Sequence, residues 1–306
     1  MTDIAFIFPG QGAQTVGMGK EFYDSSAAAK AVFDKANAII PGLTDVIFNG
    51  PQEKLTQTAY CQPGIFTFSL AALEVFKVHP HFQKINPCFA AGLSLGECTA
   101  VAASGALSFE EALKMVERRG SFMDDATKKT KGAMAAVLGM DKEKLVELCR
   151  QAGAQVANFN SPDQIVITGE AEKVKTASKL IEEAGAKRVI PLDVAGAFHS
   201  SLMEPAVAPF QNELTKFHFQ DSQFPVVSNV DGKPAQEAQQ IKSNLAKQIT
   251  SSVQWVDSVL HMKAQGVTTF IEIGPGTVLK GLIRKIDKEL TVYNIQKPED
   301  IAGLNF

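Results

Sequence analysis

A serine between two glycines is the first group in the sequence that could do chemistry. The segment Gly92-Leu-Ser-Leu-Gly96 fits the pattern G-x-S-x-G, with an apolar run before it and an Ala-rich run after it. A sharp strand-to-helix turn there would expose the Ser94 hydroxyl, and the glycines would let neighbouring backbone approach. The N-terminus of the following helix offers unpaired N–H groups to a developing oxyanion. The segment therefore predicts a nucleophilic serine, with an ordinary glycine turn as the alternative.

A serine nucleophile needs a base, and the sequence contains five histidines. His199 follows the small-residue run Asp193-Val-Ala-Gly-Ala-Phe and has the most suitable setting for a base. The others are expected in a polar connection, a strand or a helix: His79, His81, His218 and His261. Asp193 is close to His199 but is expected at a strand end. An acid or a backbone carbonyl could therefore orient the imidazole, and the sequence leaves this open.

Arg119 is predicted to point inward from a helix over residues 110–124. At helical spacing Arg119 shares a stripe with apolar residues, whereas Arg118 falls on the charged face. The stripe contains Ala112, Met115, Val116 and Met123. A buried guanidinium must find an anion or several acceptors. Arg119 is thus either half of an internal salt bridge or a fork for a substrate carboxylate.

Composition excludes several classes of protein. The 306 residues are 45% hydrophobic and 21% charged, as in ordinary globular proteins, and the net charge of −3 gives no global attraction to nucleic acid or anionic membranes. No signal peptide or long apolar run is visible. The four cysteines show no CxxC pair, which argues against a zinc site. We expect a cytoplasmic α/β protein without metal, nucleic-acid partner or membrane contact.

The predicted elements alternate between strands and helices. Strands are expected at residues 4–8 and 87–91, and a glycine loop, Pro9-Gly-Gln-Gly12, follows the first. Helices are expected at 19–40, 62–76, 95–104 and 110–124, with Pro63 in a first turn. After a polar hinge at 126–132, the order β-α-β-β-α-β is that of a ferredoxin-like unit. Its elements are 133–138, 141–152, 155–159, 164–168, 170–184 and 187–192. A strand at 268–273 and a helix at 278–286 close the chain.

Together these segments resemble the malonyl-CoA:acyl-carrier-protein transacylase family, and the resemblance runs from end to end. Its motifs are Phe8-Pro-Gly-Gln-Gly-Ala-Gln14, Gly92-Leu-Ser-Leu-Gly-Glu97, Arg119-Gly120, Asn158-Phe-Asn-Ser-Pro162, Phe198-His-Ser200, Gln248, Val253-Gln-Trp255 and Glu272-Ile-Gly-Pro-Gly276. One position departs from the family pattern, because Leu93 stands where the family usually has histidine before the nucleophile. That residue is not the base in the family scheme.

The resemblance implies a role for each matching residue. Ser94 would be acylated, His199 would act as base and then acid, and Arg119 would bind the malonyl carboxylate. Backbone N–H groups of Gln11 and Leu95 would form the oxyanion hole, and the carbonyl of Gln248 would orient His199. Two further substrate contacts are expected, from Phe198 and Asn160.

The resemblance also implies the fold and the partners. The fold would be an α/β-hydrolase-like core, residues 1–126 and 193–306, with an inserted ferredoxin-like small subdomain, residues 127–192. Malonyl-CoA and holo acyl carrier protein would be the substrates of a monomer without cofactor. Basic residues that could attract an acidic carrier protein are Lys128, Lys129, Lys131, Lys187, Arg188, Lys280, Arg284 and Lys285.

Three other classes of function compete. An α/β-hydrolase esterase shares the serine motif but would want a triad acid and gives no reason for an inward Arg119. A nucleotide-binding protein is suggested by the loop at 10–12, but Thr15 stands where the dinucleotide-binding pattern needs glycine. A scaffold without enzymatic activity is the third.

Overall fold

The computed structural model describes residues 1–305. Within them the strands fall in two sheets, one of six and one of four strands. The strands are β1 (Thr2–Phe8), β2 (Ile85–Gly92), β3 (Gly132–Leu138), β4 (Gln155–Ser161), β5 (Gln164–Glu170), β6 (Arg188–Pro191), β7 (Val226–Val227), β8 (Pro234–Ala235), β9 (Thr269–Ile273) and β10 (Thr291–Ile295).

Helices pack on both sheets. They are α1 (Lys20–Ser25), α2 (Ala27–Ile39), α3 (Leu43–Asn49), α4 (Gln52–Thr56), α5 (Thr58–Lys77), α6 (Leu95–Ala103), α7 (Phe109–Thr127), α8 (Lys142–Ala152), α9 (Ala171–Glu183), α10 (Glu204–Leu214), α11 (Ala238–Gln248), α12 (Trp255–Ala264), α13 (Val278–Ile286) and α14 (Pro298–Ala302). Two 3₁₀ turns occupy Pro80–Lys84 and Ser201–Met203. No helix within residues 1–305 is long and apolar enough to cross a membrane.

The large sheet has the order β10-β9-β1-β2-β7-β8 and is parallel except for β8. Along β1 the side chains alternate between two cores, with Phe6 and Phe8 on one side and Ala5 and Ile7 on the other. Helices therefore cover both faces, as a buried parallel sheet requires. Phe8 pairs with Gly92, so the loops that follow β1 and β2 leave the same edge of the sheet side by side.

The small sheet has the order β4-β5-β3-β6 and is antiparallel. One face packs on α8 and α9 through residues such as Val137 and Ile167. Met134 and Val166, at alternate positions, lie on the opposite face of the small sheet, pack in the same core as Phe6 and Phe8, and line a cavity. The small sheet therefore has one helical face and one face that contributes to a cavity.

The order β-α-β-β-α-β predicted for residues 133–192 is confirmed, but four predictions outside it are wrong. The helix at 278–286 does not close the chain, because β10 and α14 follow it and β10 pairs with β9 at the edge of the large sheet. The helix predicted at 19–40 is broken by Ser26, whose extended backbone (φ −136°) starts α2 as its N-cap. Pro63 lies inside α5 rather than in its first turn, because α5 is almost entirely buried and its packing outweighs the lost N–H. His218 lies in an irregular segment rather than in the predicted strand, because its backbone N–H donates to the Glu111 side chain and not to a neighbouring strand.

Candidate active site

Ser94 lies at the turn between β2 and α6. Its backbone has φ 55° and ψ −101°, a conformation that costs energy for any residue with a side chain. A Cβ at Gly92 would collide with the backbone of Gly96, and one at Gly96 would collide with the carbonyl oxygen of Phe8. The two glycines thus allow the tight turn that the sequence motif predicts, and the turn presents Ser94 at the edge of the sheet.

His199 lies beside Ser94, with 2.8 Å between its Nε2 and Ser94 Oγ. Its Nδ1 is 3.0 Å from the carbonyl oxygen of Gln248 and 3.2 Å from that of Ser251. A carbonyl oxygen can only accept, so Nδ1 carries the proton and Nε2 is left to accept the Ser94 hydroxyl proton. Carbonyl groups rather than Asp193 therefore orient the imidazole.

The surroundings of His199 favour the neutral imidazole. Burial, and then the positive charge of Arg119, lower its pKa from 6.5 to about 4, against the opposing effect of the two carbonyls. The ring is 4% exposed. At neutral pH the side chain can therefore act as a base without first losing a proton.

Arg119 is fully buried, with 0% exposure, beside the nucleophile. Its Nη2 donates to Ser94 Oγ at 3.1 Å and to Gln248 Oε1 at 2.7 Å, and its Nη1 donates to Gln62 Oε1 at 3.0 Å. Nε has no hydrogen-bond partner. Arg119 forms no ion pair with a carboxylate of residues 1–305, so the internal salt bridge considered from the sequence is absent there.

Two backbone N–H groups lie in the loops that leave the sheet beside Ser94. The loop after β1 contains Gln11, and α6 begins with Leu95. In residues 1–305 no acceptor is bonded to either N–H. The Leu93 N–H donates to Phe8 O at 3.2 Å and holds the two loops together. These donors are therefore available to an oxygen at Ser94.

A cavity of about 180 Å³ opens over Ser94 and His199. The large sheet and its loops supply one wall, and the small sheet supplies the other. Its lining residues are Gly10, Gln11, Gln62, Leu93, Ser94, Met123, Met134, Asn158, Asn160, Val166, Leu192, Val194, Phe198 and His199. Asn160 is 6% exposed and its Oδ1 has no partner. The cavity thus combines apolar walls with a few polar groups at the nucleophile, as ligand sites do.

Comparison with known proteins gives this arrangement a family. The model of the family described as acyl transferase domain matches residues 5–303. The malonyl CoA-acyl carrier protein transacylase of Bacillus subtilis (strain 168) is 46% identical, over 98% of this chain and 96% of that protein. The chain belongs to the malonyl-CoA:acyl-carrier-protein transacylase family.

Solved structures of transacylases agree. The acyl-carrier-protein-S-malonyltransferase of Bartonella henselae has a TM-score of 0.94 at 36% identity and covers 99% of this chain and 98% of its own. A malonyl-transacylase in complex with its type II PKS acyl-carrier protein has a TM-score of 0.93 at 34% identity, with 98% of each chain covered. The mixed α/β architecture is therefore that of solved malonyltransferases.

Two residues of this transacylase site escaped the sequence reasoning. Glu97, which the sequence analysis names only as the last residue of the serine motif, is 2% exposed and accepts hydrogen bonds from Asn229 and Gln248. Asn229 accepts from the Ser94 N–H at 2.7 Å through Oδ1 and donates to Gly92 O at 2.7 Å through Nδ2. Asn229 is 135 residues from Ser94 in sequence, and no local pattern marks it. The position of Glu97 inside the serine motif was the one available signal.

Leu93, where the family usually has histidine, lines the cavity of this transacylase. Its side chain packs at the edge of the second core, and its carbonyl lies against Gly10. The leucine gives the cavity an apolar wall at this position, and the contact between His199 and Ser94 is present beside it.

Proposed function

We propose that this chain transfers a malonyl group from malonyl-CoA to the phosphopantetheine thiol of acyl carrier protein, through a malonyl-serine intermediate, for fatty-acid synthesis. The observation that supports this best is the contact between Arg119 and Ser94, 3.1 Å from Nη2 to Oγ. A buried cation at the nucleophile serves a substrate with a carboxylate close to its reacting carbonyl. A simple esterase has no use for that charge.

In the first half-reaction Ser94 Oγ attacks the thioester carbon of malonyl-CoA. Its proton passes to Nε2 of His199, while Nδ1–H stays bonded to the Gln248 carbonyl. The N–H groups of Gln11 and Leu95 stabilise the developing oxyanion. The carbon–sulfur bond then breaks, and the coenzyme A sulfur leaves with the proton held by Nε2. The product is a serine ester whose carboxylate pairs with Arg119.

The second half-reaction runs the same steps with a different thiol. The phosphopantetheine thiol of the carrier gives its proton to Nε2 of His199 and attacks the ester carbon. Ser94 Oγ leaves and regains a proton from Nε2, so the enzyme returns to its starting state. The solved complex of a malonyl-transacylase with its acyl-carrier protein supports this choice of partner. One nucleophile and one base thus serve two thiols in turn, and no cofactor is required.

Two further cavity residues are proposed to contact the acyl group. The ring of Phe198 lines the cavity next to the base and fills space that an α-methyl group would need. Oδ1 of Asn160 is buried without a hydrogen-bond partner. An amide N–H of the pantetheine arm can donate to it. Together they favour an unbranched malonyl thioester.

We also infer the domain organisation from the two sheets. Residues 1–126 and 193–306 form an α/β-hydrolase-like large subdomain, and residues 127–192 form a ferredoxin-like small subdomain. The strand order β4-β5-β3-β6, with two helices on one face, supports the second assignment. We propose that the protein acts as a cytoplasmic monomer.

Intact-mass spectrometry after brief mixing with malonyl-CoA tests the proposal. The wild-type protein is expected to gain one malonyl group, located at Ser94 by peptide mapping, and to lose it when holo acyl carrier protein is added. Ser94→Ala is the matched control and should gain nothing. Acylation of Ser94→Ala to the same extent, or a wild-type protein that never acquires the group, would refute the proposed route.

A further inference from the structure

Glu97 is a buried acid that the mechanism above does not use. In residues 1–305 the acidic side chains that are fully buried are Glu97 and Glu272. Glu272 accepts from the N–H groups of Leu279 and Lys280 and so anchors the start of α13, a structural task. Glu97 belongs to the first turn of α6, but its carboxylate lies beneath the turn that presents Ser94. A buried carboxylate is costly unless it is hydrogen-bonded, so its partners indicate what it does.

The partners of Glu97 are the residues that hold the catalytic groups. Its Oε2 accepts from the Asn229 N–H at 3.0 Å and from Gln248 Nε2 at 2.6 Å. Asn229 in turn binds the Ser94 N–H. Gln248 binds Arg119 through Oε1 and His199 through its backbone carbonyl. A single intervening residue therefore connects Glu97 to each proposed catalytic group. Asn229 connects it to Ser94, and Gln248 connects it to His199 and Arg119.

Glu97 helps to decide which way the Gln248 amide points, and its contact with Gln248 Nε2, at 2.6 Å, is shorter than the 3.0 Å contact of Nε2 with the Ser94 carbonyl oxygen. A carboxylate oxygen that receives the Asn229 N–H and the Gln248 amide acts as an acceptor, so the Gln248 NH₂ must face Glu97. The amide oxygen then faces Arg119, which can only donate. Rotating the amide by 180° would place its NH₂ against the guanidinium and its oxygen against the carboxylate, and both contacts would be lost. Glu97 and the Ser94 carbonyl oxygen on one side, and Arg119 on the other, thus fix one orientation.

The same arrangement keeps the Glu97 carboxyl group near Arg119 without letting it touch the guanidinium. A carboxylate in direct contact would form a bidentate pair and compete with a substrate carboxylate for the same N–H groups. With the Gln248 amide between them, Glu97 and Arg119 are joined by a polar bridge of two hydrogen bonds. Arg119 keeps neutral partners that an incoming carboxylate can displace.

We propose that Glu97 is a positioning residue, which holds the Gln248 amide with its oxygen toward Arg119 and so keeps the guanidinium in place and open to the substrate's carboxylate. The proposal rests on the proposed malonyl transfer and adds the source of its preference for malonyl over uncharged acyl groups.

The test compares kcat/KM for malonyl-CoA with kcat/KM for acetyl-CoA in the complete enzyme. The ratio cancels any loss of Ser94 reactivity, because both thioesters need the same nucleophile and base. Glu97→Leu removes the acceptor and is expected to lower the malonyl-to-acetyl ratio by about tenfold or more. Glu97→Gln can present its amide oxygen to the same donors and is expected to restore most of the ratio.

Glu272→Leu is the control for losing a buried carboxylate. It should lower the unfolding temperature and leave the ratio unchanged. A folded Glu97→Leu enzyme with the wild-type ratio would overturn the proposal, as would an equal fall in ratio for Glu272→Leu. If Glu97→Leu does not fold, Gln248→Met removes the bridging amide and keeps the backbone carbonyl; it should lower the ratio too, and an unchanged ratio overturns the proposal.

Coupling between the two positions gives a second measurement. Since Glu97 acts through Gln248, Glu97→Leu should change the ratio little in a Gln248→Met background. A full additional loss there would show that Glu97 acts by another route and would overturn the proposal. A wild-type enzyme that transfers acetyl as well as malonyl would overturn this inference alone, whereas one that transfers neither would overturn the proposed function and this inference with it.

Discussion

Arg119 and its neighbour Arg118 show how much one position on a helix decides. The side chain of Arg118 is 45% exposed and lies 3.9 Å from Glu213, whereas Arg119 is fully buried with neutral partners. The helical stripe read from the sequence separated the two correctly, because residues at three- and four-residue spacing share a face. Whether the buried arginine meets an internal acid depends on Gln62 and Gln248, which lie far away in the chain.

Arg119→Ala is expected to remove the preference for malonyl. A carboxylate left without its buried partner loses about 2–5 kcal/mol of interaction, so kcat/KM for malonyl-CoA should fall far more than that for acetyl-CoA. Arg119→Lys restores the charge but not the planar fork, and recovery should be partial. Arg118→Ala is the matched control on the same helix. The arginine would be purely structural if Arg119→Ala left the ratio of the two rates as in wild type.

The base is expected to work at unusually low pH. Protonation of Nε2 removes the base, and burial and Arg119 place that protonation at a pKa of about 4 instead of 6.5. As the pH is lowered past 6.5, protonation of His199 should not yet slow the modification of Ser94 by an uncharged organophosphorus reagent. The rate should fall only as the pH approaches about 4. Glu97, whose pKa burial raises to about 7, can add a separate inflection that Glu97→Gln removes.

Replacing Arg119 provides the check on the cause of this shift. Arg119→Met removes the charge that disfavours imidazolium, so the acid limb due to His199 should move upward, toward 6.5. Arg118→Met, at the exposed neighbour, should leave the limb where it is. An acid limb at the ordinary histidine value in the wild type, or one indifferent to Arg119→Met, would contradict the assignment.

At the scale of elements, the site depends on turns where the chain is under strain. Ser94 and His199 are the non-glycine residues with positive φ in residues 1–305, both at 55°. Both follow directly on segments that hold them from either side: β2 and α6 flank Ser94, and Thr168 of β5 binds the carbonyl of Phe198 at 2.9 Å. Strained residues at a reacting centre are stable only because the surrounding elements are fixed.

The strain at Ser94 predicts a difference in stability between two variants that lack the proposed nucleophile. Ser94→Gly relieves the positive φ and Ser94→Ala does not, so the glycine variant should be more stable by about 1 kcal/mol. Denaturant unfolding measures the difference. At Ser104, which has an ordinary φ of −79°, the order should reverse, with alanine more stable than glycine. The same order at both positions would mean that Ser94 is not strained.

Local patterns predicted several of the long elements, left α10, α11 and β10 unassigned, and missed elements that depend on distant partners. Apolar periodicity was sufficient for α7 and for the strands and helices of the small sheet. It could not predict β7 and β8, two residues each, which exist because β2 pairs with Val226. The same reason explains the site: Ser94, His199 and Arg119 carry signals of their own, whereas Asn229 is recognisable only once β2 and the loop around it are adjacent in space.

At the scale of the whole molecule, the site lies where the two sheets face each other. Gly132 starts β3 against the backbone of Ala197, two residues before His199. Lys131 is exposed next to this contact and forms no ion pair within residues 1–305, whereas Lys128 is already paired with Asp124 and Asp125. Of the basic residues considered from the sequence, Lys131 is therefore a candidate for attracting an acidic carrier protein.

Lys131→Glu is expected to raise the KM for holo acyl carrier protein and leave that for malonyl-CoA nearly unchanged. The effect should be largest at low ionic strength, because salt screens exposed charges. Lys175→Glu makes the same charge change on α9, on the other side of the small sheet, and should alter neither KM. Equal effects of the two variants on the carrier would place docking elsewhere.

The two carbonyl groups behind His199 also bear on the lifetime of the acyl-enzyme. An imidazolium that forms there has no carboxylate to share its charge, so His199 is a weak base. A thiol ionises with a pKa of about 8.5 and water with one of about 15.7, so a weak base assists the thiol far better. We therefore expect the ester proposed on Ser94 to resist hydrolysis, so that the acyl group stays on the enzyme between the departure of one thiol and the arrival of the next.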